Sequence, residues 1–177
     1  MKDLYIEGRR IASLLSIKER MRLLIGLRKD CKDVSDVFNL VEKEIKKKKE
    51  SGVVFRSVVD RCEFVIGFLS YVSYITKEDI QKEINKLAKE LNLLDIPQLC
   101  SHYITFLTYR DKRYAVVKER IKITVRPKEG FLGKTTSRVP KINDVNEVKR
   151  KVDELRDLCD LYVKAEERKL LFWKKMM

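Results

Sequence analysis

The sequence predicts a mainly α protein: a compact bundle of five or six helices with a long C-terminal helix, a basic loop and little or no β-sheet. Three observations predict it. Only six glycines and three prolines punctuate 177 residues, too few for a loop-rich β fold. The Lys/Glu/Ile/Leu-rich composition favours helix. Apolar residues also recur at intervals of three and four over most of the chain, the spacing of one helix face. With 44% hydrophobic and 38% charged residues, the chain can bury a real core beneath a charged surface, and its length suits one domain or one domain with a small appendage. The expected organisation is a helical core over 1–126, a basic exposed loop over 127–143, and a long helix over 144–177 packed on the core or on a partner.

Residues 9–29 carry Ile11, Leu14, Leu15, Met21, Leu24, Ile25 and Leu27 among basic residues, an amphipathic stripe with a break near Ser16. Asp33 or Ser35 can cap a second helix with Val37, Leu40, Val41 and Ile45 inward. It ends in Lys46 to Lys49, cations that suit the negative end of a helix dipole. From Val53 to Ile75 apolar residues such as Val58, Val59, Phe64, Phe68 and Leu69 cover nearly every side, as in a helix sheathed by others. Thr76 with Asp79 makes a capping-box-like start for Ile80, Ile84, Leu87 and Leu91, closed by Asn92. Asp95, before Ile96-Pro97, starts another helix, with Ile96, Leu99, Cys100, Tyr103, Ile104 and Leu107 on its inner face.

Two readings of the next segment compete. Tyr114, Val117 and Ile121 continue the stripe from Leu107 into one long helix to about Lys122. The β-branched run Ile121 to Val125 alternates instead with period two, as a strand does. The long helix is the preferred reading, and residues 113–126 stay open between helix and strand. Pro127 biases Arg126 away from helical geometry and sets a boundary. Gly130, Gly133, Pro140 and Thr135-Thr136-Ser137 make 127–142 an exposed loop. Asp144 with Glu147 opens a terminal helix to about Trp173. Its Val145, Val148, Val152, Leu155, Cys159 and Tyr162 form a coiled-coil type of seam.

Charge is the strongest functional signal. The formal net charge is +13, from 40 Lys and Arg against 27 Asp and Glu, and residues 110–141 hold eleven of the cations against Asp111, Glu119 and Glu129. That +8 in one segment attracts polyanions, because each phosphate neutralised releases condensed counterions. The candidate nucleic-acid-binding residues are Arg110, Lys112, Arg113, Lys118, Arg120, Lys122, Arg126, Lys128, Lys134 and Arg138, carried on a helix face and the loop after it. Such groups straddle a phosphate backbone with little base specificity. Residues 77–95, by contrast, mix signs evenly. The candidate partner-binding residues are Val148, Val152, Leu155, Tyr162, Phe172 and Trp173, aromatic and aliphatic anchors near a terminus.

Catalytic sets are missing from the pattern. The single histidine, His102, falls on the polar side of its expected helix and reads as a surface or interface imidazole rather than a general base. Gly130 to Thr136 faintly suggests a phosphate loop, but two residues separate its glycines where four are required. No acidic constellation suggests a two-metal site. Cys31, Cys62, Cys100 and Cys159 stand too far apart for a zinc knuckle or a redox motif. Cys62 and Cys100 read as small buried hydrophobes, and a disulfide framework is not expected. The expectation is therefore a protein that is not an enzyme, with no metal, no cofactor and no small-molecule substrate. No signal peptide is visible and the longest apolar run is too short to cross a bilayer. A soluble intracellular protein without membrane contact is expected, nuclear in a eukaryote and otherwise cytoplasmic.

The stretch Cys100 to Lys122, above all Tyr109-Arg110-Asp111-Lys112-Arg113, resembles one helix of the GINS replication complex subunits. That helix bears an Arg-Asn-Lys-Arg run, then an apolar stretch and a further arginine. The matching positions here are Arg110, Asp111, Lys112 and Arg113, then Ala115-Val116-Val117, with Arg120 as the later arginine. A loop and another long helix follow, as in the family's helical domain, while the family's small β domain has no counterpart. The resemblance implies a non-catalytic subunit bracing a replicative helicase, with other protein subunits as partners and DNA nearby. The residues read by themselves give a basic helical assembly protein contacting a DNA or RNA phosphate backbone. The alternative is an RNA-binding or ribonucleoprotein-assembly factor.

Overall fold

A computed structural model describes residues 3–48, 53–113, 115 and 117–166. Among them stand six α-helices and one three-stranded antiparallel sheet: α1 (Leu4–Ala12), α2 (Ile17–Asp30), α3 (Val34–Lys47), α4 (Val58–Val72), α5 (Lys77–Glu90), β1 (His102–Asp111), β2 (Lys118–Pro127), β3 (Thr136–Arg138) and α6 (Val145–Glu166). The fold is mainly α, as expected, with more sheet than expected. The chain forms two compact units, one built on the residues up to Asp79 and the other on Ile80–Val163. No described helix is long and apolar enough to cross a membrane.

In the first unit, short polar side chains start each helix by taking up N–H groups that lack intrahelical partners. Ser16 accepts from the Glu19 N–H while the Glu19 carboxylate accepts from the Ser16 N–H, so the expected break near Ser16 is a capping box. Asp33 and Asp36 form the same reciprocal pair at the start of α3. Lys48 donates to Glu19 at 2.8 Å, and this bond holds the Glu19 carboxyl below its usual range.

Two glycines let α1 and α4 cross closely. A Cβ added at Gly8 would overlap the Phe64 carbonyl, and one added at Gly67 would overlap the Tyr5 carbonyl. Ile11, Leu24, Leu27, Val37, Val41, Phe64, Phe68 and Leu69 fill the core of this unit. The all-round apolar segment is buried only from Phe64 on. Val58 and Val59, in the first turn of α4, are 68% and 65% exposed, because an apolar side chain is covered only where another element reaches it.

In the second unit the expected helix over residues 96–122 does not form, and the all-helical stretch 1–126 ends at Glu90. After Asn92, which adopts the left-handed conformation with φ 59°, the chain turns through a short 3-10 segment (Leu99–Ser101) into β1. β1 pairs antiparallel with β2 from His102↔Pro127 to Asp111↔Lys118, and β2 pairs with β3 from Ile123↔Arg138 to Val125↔Thr136. Residues 118–126 are therefore strand, and part of the expected 127–143 loop is strand β3. Asp144 accepts from the Glu147 N–H to start α6. The expected continuation of that helix to Trp173 lies outside the described residues.

A disulfide not expected from the spacing joins Cys100 to Cys159, 59 residues apart, with Cα atoms at 5.0 Å. It ties the chain just before β1 to α6. Arg156 of α6 adds a second tie, its Nε donating to the Ile104 carbonyl at 2.8 Å.

Candidate nucleic-acid interface

Strand pairing sorts the basic segment by face, because directly opposed residues of an antiparallel pair project to the same side. One face of the hairpin carries Ile104, Phe106, Ile121, Ile123 and Val125, of which all but the half-buried Phe106 are buried. The other face pairs Tyr103 with Arg126, Thr105 with Thr124, Leu107 with Lys122, Tyr109 with Arg120, and Asp111 with Lys118. Four cations thus stand in one row on β2 beside exposed apolar side chains on β1: Tyr103 at 52%, Leu107 at 49% and Tyr109 at 39%. Asp111 is the one acid on this face of the pair, 3.7 Å from Arg120 at the hairpin's turn end.

The remaining expected residues are dispersed. Arg110 lies on the opposite face, across from Glu119. Lys112 and Arg113 are exposed in the turn, where the Arg113 N–H donates to Asp111 at 3.1 Å. Lys128 follows β2. Its ammonium donates to the Cys100 carbonyl at 3.3 Å and sits 5.8 Å from the centre of the Tyr103 ring. Lys134 is exposed in the β2–β3 connection. Arg138 is engaged within the chain: it donates to Asp95 at 2.8 Å and thereby holds the Asp95 carboxyl below the usual carboxylate range. A cleft of about 240 Å³ opens beside the start of β2, with Lys118 and Arg120 on one side and Val139, Pro140 and Ile142 on the other.

The face expected to bind a partner chain is covered. Val148, Val152 and Leu155 are 0% exposed within the chain itself, so the seam of α6 is core. Tyr162 is half-buried, and Phe172 and Trp173 lie outside the described residues. His102 opens β1, and its Nδ1 stands 2.9 Å from the Gln98 carbonyl, a local tie rather than a member of a catalytic cluster. Among the described residues no group of three or more His, Cys, Asp or Glu is arranged to hold a metal ion.

Sequence reasoning missed all three outward residues of β1: it placed Tyr103 and Leu107 on the inner face of a helix and gave Tyr109 no face. The signal that could have found them is the period-two β-branched run Ile121 to Val125, which as a strand requires a partner strand.

No family model matches the chain, and no curated protein or solved structure is significantly similar to it.

Proposed function

We propose that this chain is a non-catalytic nucleic-acid-binding protein that holds a phosphate backbone on the basic face of its β1–β2 hairpin. One observation carries the reading: the register gathers Lys118, Arg120, Lys122 and Arg126 on a single sheet face. Cations spaced along one strand can follow a phosphate chain, and counterion release supplies the affinity. A role as subunit of a nucleic-acid-processing assembly rests on this surface rather than on α6, whose seam is filled. The GINS resemblance implies a replicative assembly, although its motif falls on a strand and a turn here rather than on a helix. The same surface would serve an RNA-binding or ribonucleoprotein-assembly factor. Either role would place the protein in the nucleus of a eukaryote or in the cytoplasm otherwise.

The test is the salt dependence of binding to an oligonucleotide. Replacing Lys118, Arg120, Lys122 and Arg126 with Gln should lower the log–log salt slope for a single strand by about three units. The circular dichroism spectrum should stay unchanged. An unaltered slope would exclude this face as the phosphate site.

A further inference from the structure

The cation row has a feature that phosphate binding alone does not require. Tyr103, Leu107 and Tyr109 occupy alternate outward positions of β1, each directly opposite a β2 cation: Arg126, Lys122 and Arg120 in turn. All three are well exposed. Exposed aromatic side chains on a sheet carry an unfavourable hydration free energy that burial against a partner would remove. A duplex gives them no partner, since its bases are stacked on one another and its phosphates face outward. A single strand presents both chemistries at once: bases with open π-faces, and phosphates that run alongside them.

Resting on the phosphate-binding reading above, we propose that the outward face of the hairpin is a stacking platform for single-stranded nucleic acid. In it Tyr103 and Tyr109 each support a base, Leu107 covers the apolar edge between them, and Arg120, Lys122 and Arg126 take the phosphates. The tyrosines stand six positions apart along the strand, about 20 Å, so the platform spans several nucleotides. Lys128, 5.8 Å from the Tyr103 ring centre, places a further cation where a phosphate next to that base would lie. The disulfide and the bond from Arg156 to the Ile104 carbonyl brace the end of β1 that carries Tyr103. Stacking is tolerant of base identity, so the site selects strandedness rather than sequence.

Fluorescence anisotropy of the full chain tests this with labelled oligothymidylate of about twelve nucleotides, oligouridylate of the same length, and a hairpin duplex. The variants are Tyr103→Leu, Tyr109→Leu, Tyr103→Phe, Tyr109→Phe and the paired change Lys122→Gln with Arg126→Gln. Each Leu variant should weaken single-strand binding roughly five- to 150-fold, with the salt slope and duplex affinity unchanged. The Phe variants, which keep the ring, should bind like the parent. The Gln pair should weaken both kinds of nucleic acid and lower the slope. If the Gln pair weakens binding while the Leu variants do not, the phosphate site stands and the stacking platform is overturned. If the Leu variants weaken duplex binding equally, the platform is likewise overturned. If nothing binds, or if polyglutamate competes as well as the oligonucleotides do, both readings fall.

Discussion

The two units of this chain hold similar mixtures of charge yet spend them differently. In the first, cations meet partners within the unit: Lys48 with Glu19, Arg61 with Glu42, Arg10 with Glu7. Its half-buried Tyr71 has two guanidinium groups over its ring, Arg9 at 5.6 Å and Arg20 at 5.3 Å. In the second, Arg138 pairs with Asp95 and Lys151 with Glu90 in the same way, whereas Lys122 and Arg126 are exposed beside exposed tyrosines on the outward face of β1 and β2. The same residue types therefore serve as ion-pair and ring partners in one place and stand beside exposed tyrosines in the other. Net charge suggests a polyanion binder only as a class, whereas the strand register shows which cations share a face.

The comparison can be broken most sharply at its foundations. Phe68→Ala should cost about 3–5 kcal/mol of stability in denaturant unfolding, because Phe68 is fully enclosed in the first unit. A loss below about half a kcal/mol would mean that this helix is not core. The corresponding test of the second unit is the double change Cys100→Ser and Cys159→Ser. Opening a cross-link between residues 59 apart should destabilise by about 4 kcal/mol and weaken single-strand binding as the base of β1 loosens. Equal stability and binding in the oxidised protein and the double variant would show that α6 holds the hairpin without it.

Smaller effects sharpen the contrast. Gly8→Ala or Gly67→Ala should each destabilise by roughly 1–3 kcal/mol, since either methyl group forces α1 and α4 apart, while the salt slope for nucleic acid stays unchanged. A neutral result would deny the close crossing. The smallest effect is electrostatic and belongs to the second unit. Arg138 lowers the Asp95 pKa, so that pair contributes stability above the carboxylate's unfolded pKa and loses it as pH falls through the lower folded value. Glu90 raises the Lys151 pKa, so its contribution is full below lysine's unfolded value and fades as pH rises through the folded one. Asp95→Asn should flatten the acid limb of a Tm-versus-pH curve below about pH 5 and leave the alkaline limb intact. An unchanged acid limb would show that Arg138 is not committed to Asp95 and is available to phosphate.

Several helix starts were legible because their signals are local, while the start read at Asp95 did not form. Ser16 with Glu19, Asp33 with Asp36, Thr76 with Asp79 and Asp144 with Glu147 each satisfy backbone donors within one turn. The hairpin was not legible for a reason bound up with its proposed use. A half-buried strand normally announces itself by alternating apolar and polar residues. In β1 the outward positions Tyr103, Leu107 and Tyr109 are as apolar as the inward Ile104 and Phe106, so the period of two is erased. A helical stripe of Leu107, Tyr114, Val117 and Ile121 could then be drawn through the same residues.

The sequence alone determined where several of the helices begin, which residues are able to form a helical core, and that the positive charge concentrates in residues 110–141. Each depends on neighbours a few positions apart or on simple composition. Only the tertiary structure decided that residues 102–127 fold back as paired strands, that Cys100 meets Cys159, that the α6 seam is filled from within, and that four of the ten expected cations share one face with two tyrosines. Those outcomes depend on which distant segment supplies backbone hydrogen bonds and apolar cover. Once strand pairing is chosen, a period of two rather than 3.6 assigns every side chain its face.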